Sequence, residues 1–278
     1  MDSFWLSLTH NPFLQYALLA AIFASIAAGI VGCYVVSKRI VFISGSVSHA
    51  VLGGIGIAIY LQFLTGSKLF SPLLGGLISA IVFGILIGAM HLLFKEREDS
   101  IIAAIWTIGM AIGVILISAV PGTNNQLMDF LFGNLLWAGT RDVRMLIILD
   151  IAVIATCLLL HRRFLAISFD ETQSYLQGLP VKFLYYTLLS MVSITIVLLI
   201  QIVGAILVIA LLCLPAAIAN LLTTRLSKMI YLSILLSCIF SFVGIYISYH
   251  FNWPPGATIA LIASAFYFLA LPLKVKSI

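Results

Sequence analysis

Charged residues in this chain come in short clusters, and between the clusters run stretches of about 20 apolar residues, the length that crosses a hydrocarbon core of roughly 30 Å as a helix. Lys38-Arg39, Lys95-Glu96-Arg97-Glu98-Asp99 and Arg162-Arg163 are such clusters, while Pro121-Gly122-Thr123-Asn124-Asn125 and Asn252-Trp253-Pro254-Pro255-Gly256 interrupt the apolar sequence without a run of charge. One apolar stretch can be the core helix of a soluble domain, but a chain built of them cannot. Of the 278 residues 63% are apolar and 8% charged, against roughly 25% charged in soluble domains. A soluble fold could neither bury that much apolar surface nor stay dispersed. A soluble enzyme, a nucleic-acid-binding module and a disordered chain are excluded, so no nucleic-acid partner is expected. The fold class is all-α: a polytopic integral membrane helix bundle, in contact with lipid and with little outside it.

The punctuation sets the expected spans. They cover about 13–36, 41–63, 71–94, 100–119, 143–160, 183–201, 203–222 and 229–249, with a last one ending near Leu273. Residues 127–139 are apolar but too short to cross and suit a half-helix or re-entrant segment. The turn between the spans ending at 201 and starting at 203 is very tight, so the count is eight or nine. The N-terminal sequence has no basic region before its first apolar run, which is expected to be a retained span. The whole of 1–278 is expected to be a single transmembrane domain. Gly84/Gly88, Gly109/Gly113 and Gly53-Gly54-Ile55-Gly56 have the spacing that lets helices approach closely in lipid.

The net charge of +5 is best read through where the basic residues fall. With the N-terminus outside and the C-terminus cytoplasmic, Lys38, Arg39, Lys95, Arg97, Arg162, Arg163, Lys182, Arg225, Lys228, Lys274 and Lys276 lie inside, eleven of the fourteen. Lys68, Arg141 and Arg144 lie outside. The four cysteines, Cys33, Cys157, Cys213 and Cys238, all sit in apolar runs without a CxxC pair and are expected to be small packing residues.

Few polar groups remain inside the membrane. His49, in Gly45-Ser46-Val47-Ser48-His49-Ala50, lies about eight residues, roughly 12 Å, into the second span. A histidine at that depth suggests a pathway or a metal ligand, or else a hydrogen bond to a neighbouring helix. Ser48 and His49 cannot form a catalytic dyad, because adjacent helical positions point about 100° apart. Asp150 is the one clear intramembrane acid, either a second polar station, a carboxyl buried against a hydroxyl or backbone donor, or a residue nearer the end of its span than the apolar run suggests. On the inner side, Asp170 suits an N-cap, Gly178 a C′ position and Pro180 a stop, which describes a helix of about two turns within 169–179. Such a helix is too short to stand alone in water, so it is either held by a partner or an interfacial connector. Pro215 is expected to kink or break its span. No GxxxxGK[ST], HExxH or GxSxG motif is present.

Together these segments resemble the zinc/manganese-type permease family of ATP-binding-cassette importers across nearly the whole chain. Ser48-His49-Ala50-Val51-Leu52-Gly53-Gly54 stands in place of the family's second-span motif, and Phe132-Gly133-Asn134-Leu135 looks like its FGN segment. Phe169-Asp170-Glu171 with Gly178-Leu179-Pro180-Val181 looks like its cytoplasmic coupling region. Val203-Gly204-Ala205-Ile206-Leu207-Val208 through Leu214-Pro215-Ala216-Ala217 looks like its late signature. The resemblance implies a homodimeric permease in a prokaryotic inner membrane, passing a divalent metal between subunits by alternating access. Cytoplasmic ATP-binding subunits would dock at Asp170, Glu171 and Gly178, and an extracytoplasmic metal-binding protein would deliver the ion. No cofactor is bound permanently; the metal is the substrate. His49 carries over as a pathway residue, with Asp150 as a further candidate for the metal. The family's acid four residues earlier is Gly45 here, and its proline is Gly53. Losing a carboxylate favours zinc over manganese, with iron also open. The rival readings are a stand-alone secondary metal transporter or channel, a permease for a bulky chelate, and, least favoured, an intramembrane enzyme.

Overall fold

The computed structural model describes residues 4–275 apart from 68, 95–97, 123–127 and 129, and those residues form helices and connecting turns without a strand. The helices are α1 (Phe4–His10), α2 (Pro12–Ser37), α3 (Val41–Thr65), α4 (Pro72–Phe94), α5 (Glu98–Ser118), α6 (Thr140–Phe169), α7 (Glu171–Leu176), α8 (Val181–Val203), α9 (Ala205–Leu222), α10 (Leu226–Phe251) and α11 (Pro255–Val275), with a 3-10 turn at Leu135–Trp137. Eight of them are long and apolar enough to cross a membrane, and α5 adds a shorter apolar helix over Ile102–Ser118. The expected all-α polytopic bundle of eight or nine spans is what the chain forms.

Local signals set the ends. Asn11 caps α2 by accepting the N–H of Phe13 at 3.0 Å, and Pro12 occupies the first helical position, where its missing donor costs nothing. Gly66 closes α3 in the left-handed region at φ 65°. Two expectations are corrected. The fifth span does not stop at His161; α6 continues through Arg162 and Arg163 to Phe169, because arginine is a good helix former and its charge marks the edge of the apolar layer rather than the end of the helix. Of the kink or break expected at Pro215, the break does not occur: α9 runs unbroken from Ala205 to Leu222. Of the basic residues counted for orientation, Lys68, Lys95, Arg97 and Lys276 lie outside the described residues.

The chain folds as two compact units, 1–39 with 132–161 and 198–278, and 40–131 with 162–197. In the second unit α3 packs on α5 through glycines: a Cβ at Gly53 would stand 2.8 Å from the carbonyl oxygen of Gly109, and one at Gly56 2.9 Å from Cα of Gly113. Gly88 lies against Leu189 and Tyr186 of α8. The small-residue spacing in the sequence therefore marks real helix seams. In the first unit α2 and α10 share a seam of small and polar residues, with Ser25 and Ser241 hydrogen-bonded at 3.1 Å and Gly29 against Ile234.

The segment expected as a half-helix is a broken one. It is helical at residues 130–132, turns at Gly133 with φ 70°, and continues as the 3-10 turn. It seats on the joint between α8 and α9, where a single residue, Gly204 at φ 82°, separates the two helices. Asn134 donates its backbone N–H to the carbonyl of Ile202 at 3.1 Å, and Gly133 lies flat on the backbone of Val203 and Gly204. Two motifs far apart in sequence thus meet, each needing glycine at the contact.

Candidate functional site

His49 projects from α3 toward α5, one helical turn beyond Gly45, so the two positions share a face. The indole of Trp106 covers that face. Its ring lies on the imidazole with centroids 4.4 Å apart and planes 15° from parallel. A Cβ at Gly45 would stand 3.3 Å from Cζ3 of Trp106, so the indole lies close over the bare backbone there. Ser46 ties the same two helices together by donating to the carbonyl of Ile102 at 3.0 Å. Ser48 donates to the carbonyl of Ser44 at 2.7 Å within its own helix and does not serve His49, in keeping with the rejected dyad. The Nδ1 atom of His49 is buried and makes no hydrogen bond among the described residues, while the residue as a whole is part-exposed. A ligand must therefore reach this ring at Nε2.

Asp150 belongs to the other unit, a third of the way along α6, and is only 5% exposed. The backbone of Ala27 on α2 approaches its carboxyl, but neither oxygen makes a hydrogen bond of good geometry among the described residues. Among the described residues, no three or more His, Cys, Asp or Glu side chains are grouped to hold a metal ion.

A second polar group was not foreseen from the sequence. Tyr34 of α2 places its hydroxyl 2.8 Å from Nδ1 of His161 and 3.1 Å from Sγ of Cys157, both on α6, and Nε2 of His161 stands 3.4 Å from Oγ of Ser227 on α10. Cys157 and His161 are four residues apart, hence on one helical face, and that spacing was the only available signal. The network ties three helices near the Arg162-Arg163 pair and makes Cys157 more than an apolar filler. All four cysteines are free thiols.

The two-turn helix is present as read. Asp170 accepts the N–H of Gln173 at 2.9 Å, α7 spans Glu171–Leu176, and Gly178 takes φ 79°. Gly178 donates to the carbonyl of Tyr175 at 3.0 Å and Leu179 to that of Ser174 at 3.1 Å, the paired bonds of a Schellman cap. Around it Phe169 and Leu176 are each 79% exposed and Tyr175 is 73% exposed, an apolar surface with no cover.

The sequence model of the family described as ABC 3 transport family matches residues 10–274. The chain belongs to this family. It is 47% identical over 263 residues to a probable metal transport system membrane protein of Chlamydia trachomatis, covering 95% of this chain and 89% of that one. It is 35% identical over 267 residues to the manganese transport system membrane protein MntC of Listeria monocytogenes, covering 95% and 91%. Among solved structures, PsaBC from Streptococcus pneumoniae in complex with Fab superposes with a TM-score of 0.82 at 31% identity, covering 96% of this chain and 95% of that one. The ABC 3 chain is a multi-pass plasma-membrane permease subunit for metal transport, and in this family ATP hydrolysis lies in separate subunits.

Proposed function

We propose that this ABC 3 permease imports a divalent transition metal as a homodimer by alternating access, with the N-terminus outside and the C-terminus in the cytoplasm. His49 is its pathway ligand. Asp150 is a second polar station, buried and without a good hydrogen-bond partner. Separate ATP-binding subunits dock on α7 through Asp170, Glu171 and Gly178 and the apolar surface of Tyr175 and Leu176, and an extracytoplasmic metal-binding protein delivers the ion. The single observation that carries the reading is α7 itself. A six-residue helix capped at both ends and exposing its apolar side chains makes physical sense when a partner covers them. Manganese is the first candidate cargo, from the names of relatives at 33% to 35% identity. Zinc is the second, favoured by an imidazole with no carboxylate at position 45. Uptake of radioactive manganese, zinc and iron, measured side by side in cells with and without the partner ATPase, tests this. Uptake that needs the ATPase is expected. Metal flux through the permease reconstituted alone would instead establish the stand-alone transporter.

A further inference from the structure

We infer that Trp106 is a positioning residue for His49: it holds the imidazole by ring stacking where a metal-binding histidine ordinarily uses a hydrogen bond, and so keeps the metal's stop there brief. This rests on the reading of His49 as a pathway ligand. A metal-binding imidazole ordinarily donates its second N–H to a carboxylate, carbonyl or water, which fixes the ring and strengthens its basicity, and losing that partner typically lowers metal affinity about 10–100-fold. With Nε2 facing the ligand, the second nitrogen of His49 is Nδ1, and it is buried with no acceptor among the described residues. Something else must fix the ring, and the indole lying 4.4 Å away and nearly parallel is the group placed to do so. The bare backbone at Gly45 leaves room for the indole to lie close over it.

Stacking and hydrogen bonding differ in what they do to a bound ion. A donor–acceptor pair behind the ring raises its basicity and holds the metal. An indole face, being electron-rich, also favours the ring once a proton or a metal has drawn electron density from it, but by less than a hydrogen-bonded carboxylate or carbonyl does. The result is an oriented ligand of modest affinity. That suits a site that must release its ion at every cycle, and it separates Trp106 from a side chain that only fills space.

The test compares Trp106→Phe, Trp106→Leu, His49→Ala and the double variant His49→Ala/Trp106→Leu in cells containing the whole transporter, with uptake normalised to the amount of permease in the membrane. Trp106→Leu keeps apolar bulk without a ring and is expected to lower initial metal uptake about three- to tenfold. Trp106→Phe keeps a ring and is expected to stay within about twofold of wild type. In the His49→Ala background, Trp106→Leu is expected to cause no further loss. Wild-type uptake with leucine, or a further loss in the double variant, would overturn the inference while leaving the pathway role of His49 in place. Wild-type uptake in His49→Ala would instead remove the pathway role on which it rests. A second readout does not depend on tolerance of substitution at 106. The chain has four tryptophans, and replacing Trp5, Trp137 and Trp253 by Phe leaves Trp106 as the reporter in the purified permease. Cobalt(II), a paramagnetic probe, is expected to quench its emission saturably, and the quenching is expected to vanish in His49→Ala. Absence of saturable quenching would overturn the stacked geometry as a feature of the metal-bound state.

Discussion

Alanine at Gly133 is expected to be among the most damaging single-methyl changes in the chain. The backbone there has φ 70°, a region that costs an L-residue about 1–2 kcal/mol. The added methyl would also stand 2.6 Å from the carbonyl oxygen of Val203, an atom of the main chain that cannot rotate away. Relief requires the segment to lift off the α8–α9 joint, which breaks the bond from Asn134 to Ile202, worth about 0.5–1.5 kcal/mol more. The sum is about 1.5–3.5 kcal/mol before any disturbance of Gly204. Gly66 and Gly122 serve as controls, because they have φ 65° and 84° with nothing within 4 Å of an added Cβ. Their alanine variants isolate the backbone cost alone. The assay is the temperature at which the detergent-purified permease loses its monodisperse peak in size-exclusion chromatography, compared across Gly133→Ala, Gly66→Ala and Gly122→Ala. The midpoint for Gly133→Ala is expected to fall further than for either control. Equal losses in all three would show that the segment does not bear on the joint, and would refute the argument for why the two motifs need glycine.

Asp170→Ala removes the acceptor of the Gln173 N–H, worth about 1 kcal/mol to α7, and is expected to reduce ATP-driven metal uptake several-fold with normal membrane levels; full uptake would detach α7 from energy coupling. Tyr175→Ala, at an exposed position, is expected to leave thermal stability within about 0.5 kcal/mol of wild type while weakening co-purification of the ATPase; undiminished co-purification would move the docking surface elsewhere. Single cysteines at Arg225 and Trp253 test orientation with a membrane-impermeant thiol reagent: Trp253→Cys is expected to label in intact cells and Arg225→Cys only once the cytoplasmic face is opened, and the reverse pattern would invert the topology.

Most of the fold was legible because bilayer thickness imposes it. Runs such as 13–36 and 229–249 anticipate α2 and α10 to within a few residues, since backbone in hydrocarbon has little choice but to be helical. The caps of α7 were also legible, because Asp170, Gly178 and Pro180 act on backbone within a few residues of themselves. The end of α6 was misread because Arg162-Arg163 marks where apolar surroundings stop, which says nothing about where helical hydrogen bonds stop. Trp106 and the seat of Gly133 on Val203 were invisible for a different reason. Each joins segments dozens of residues apart, and no local pattern states which face of one helix meets which ring of another. His49 itself was found by depth, but what lies behind its ring was not.

The joint at Gly204 has an electrostatic consequence. A helix carries roughly half a positive charge at its N-terminus and half a negative charge at its C-terminus. Discontinuous membrane helices commonly hold ions by aiming one such end at them. Here the C-terminus of α8 and the N-terminus of α9 are one residue apart, so the two half-charges are opposed at almost the same point. Two of the terminal carbonyls are also already engaged, since Gly204 donates to Ile200 and Asn134 to Ile202. The break therefore presents little net end charge of either sign. It interrupts the backbone without adding a helix-end site for a cation.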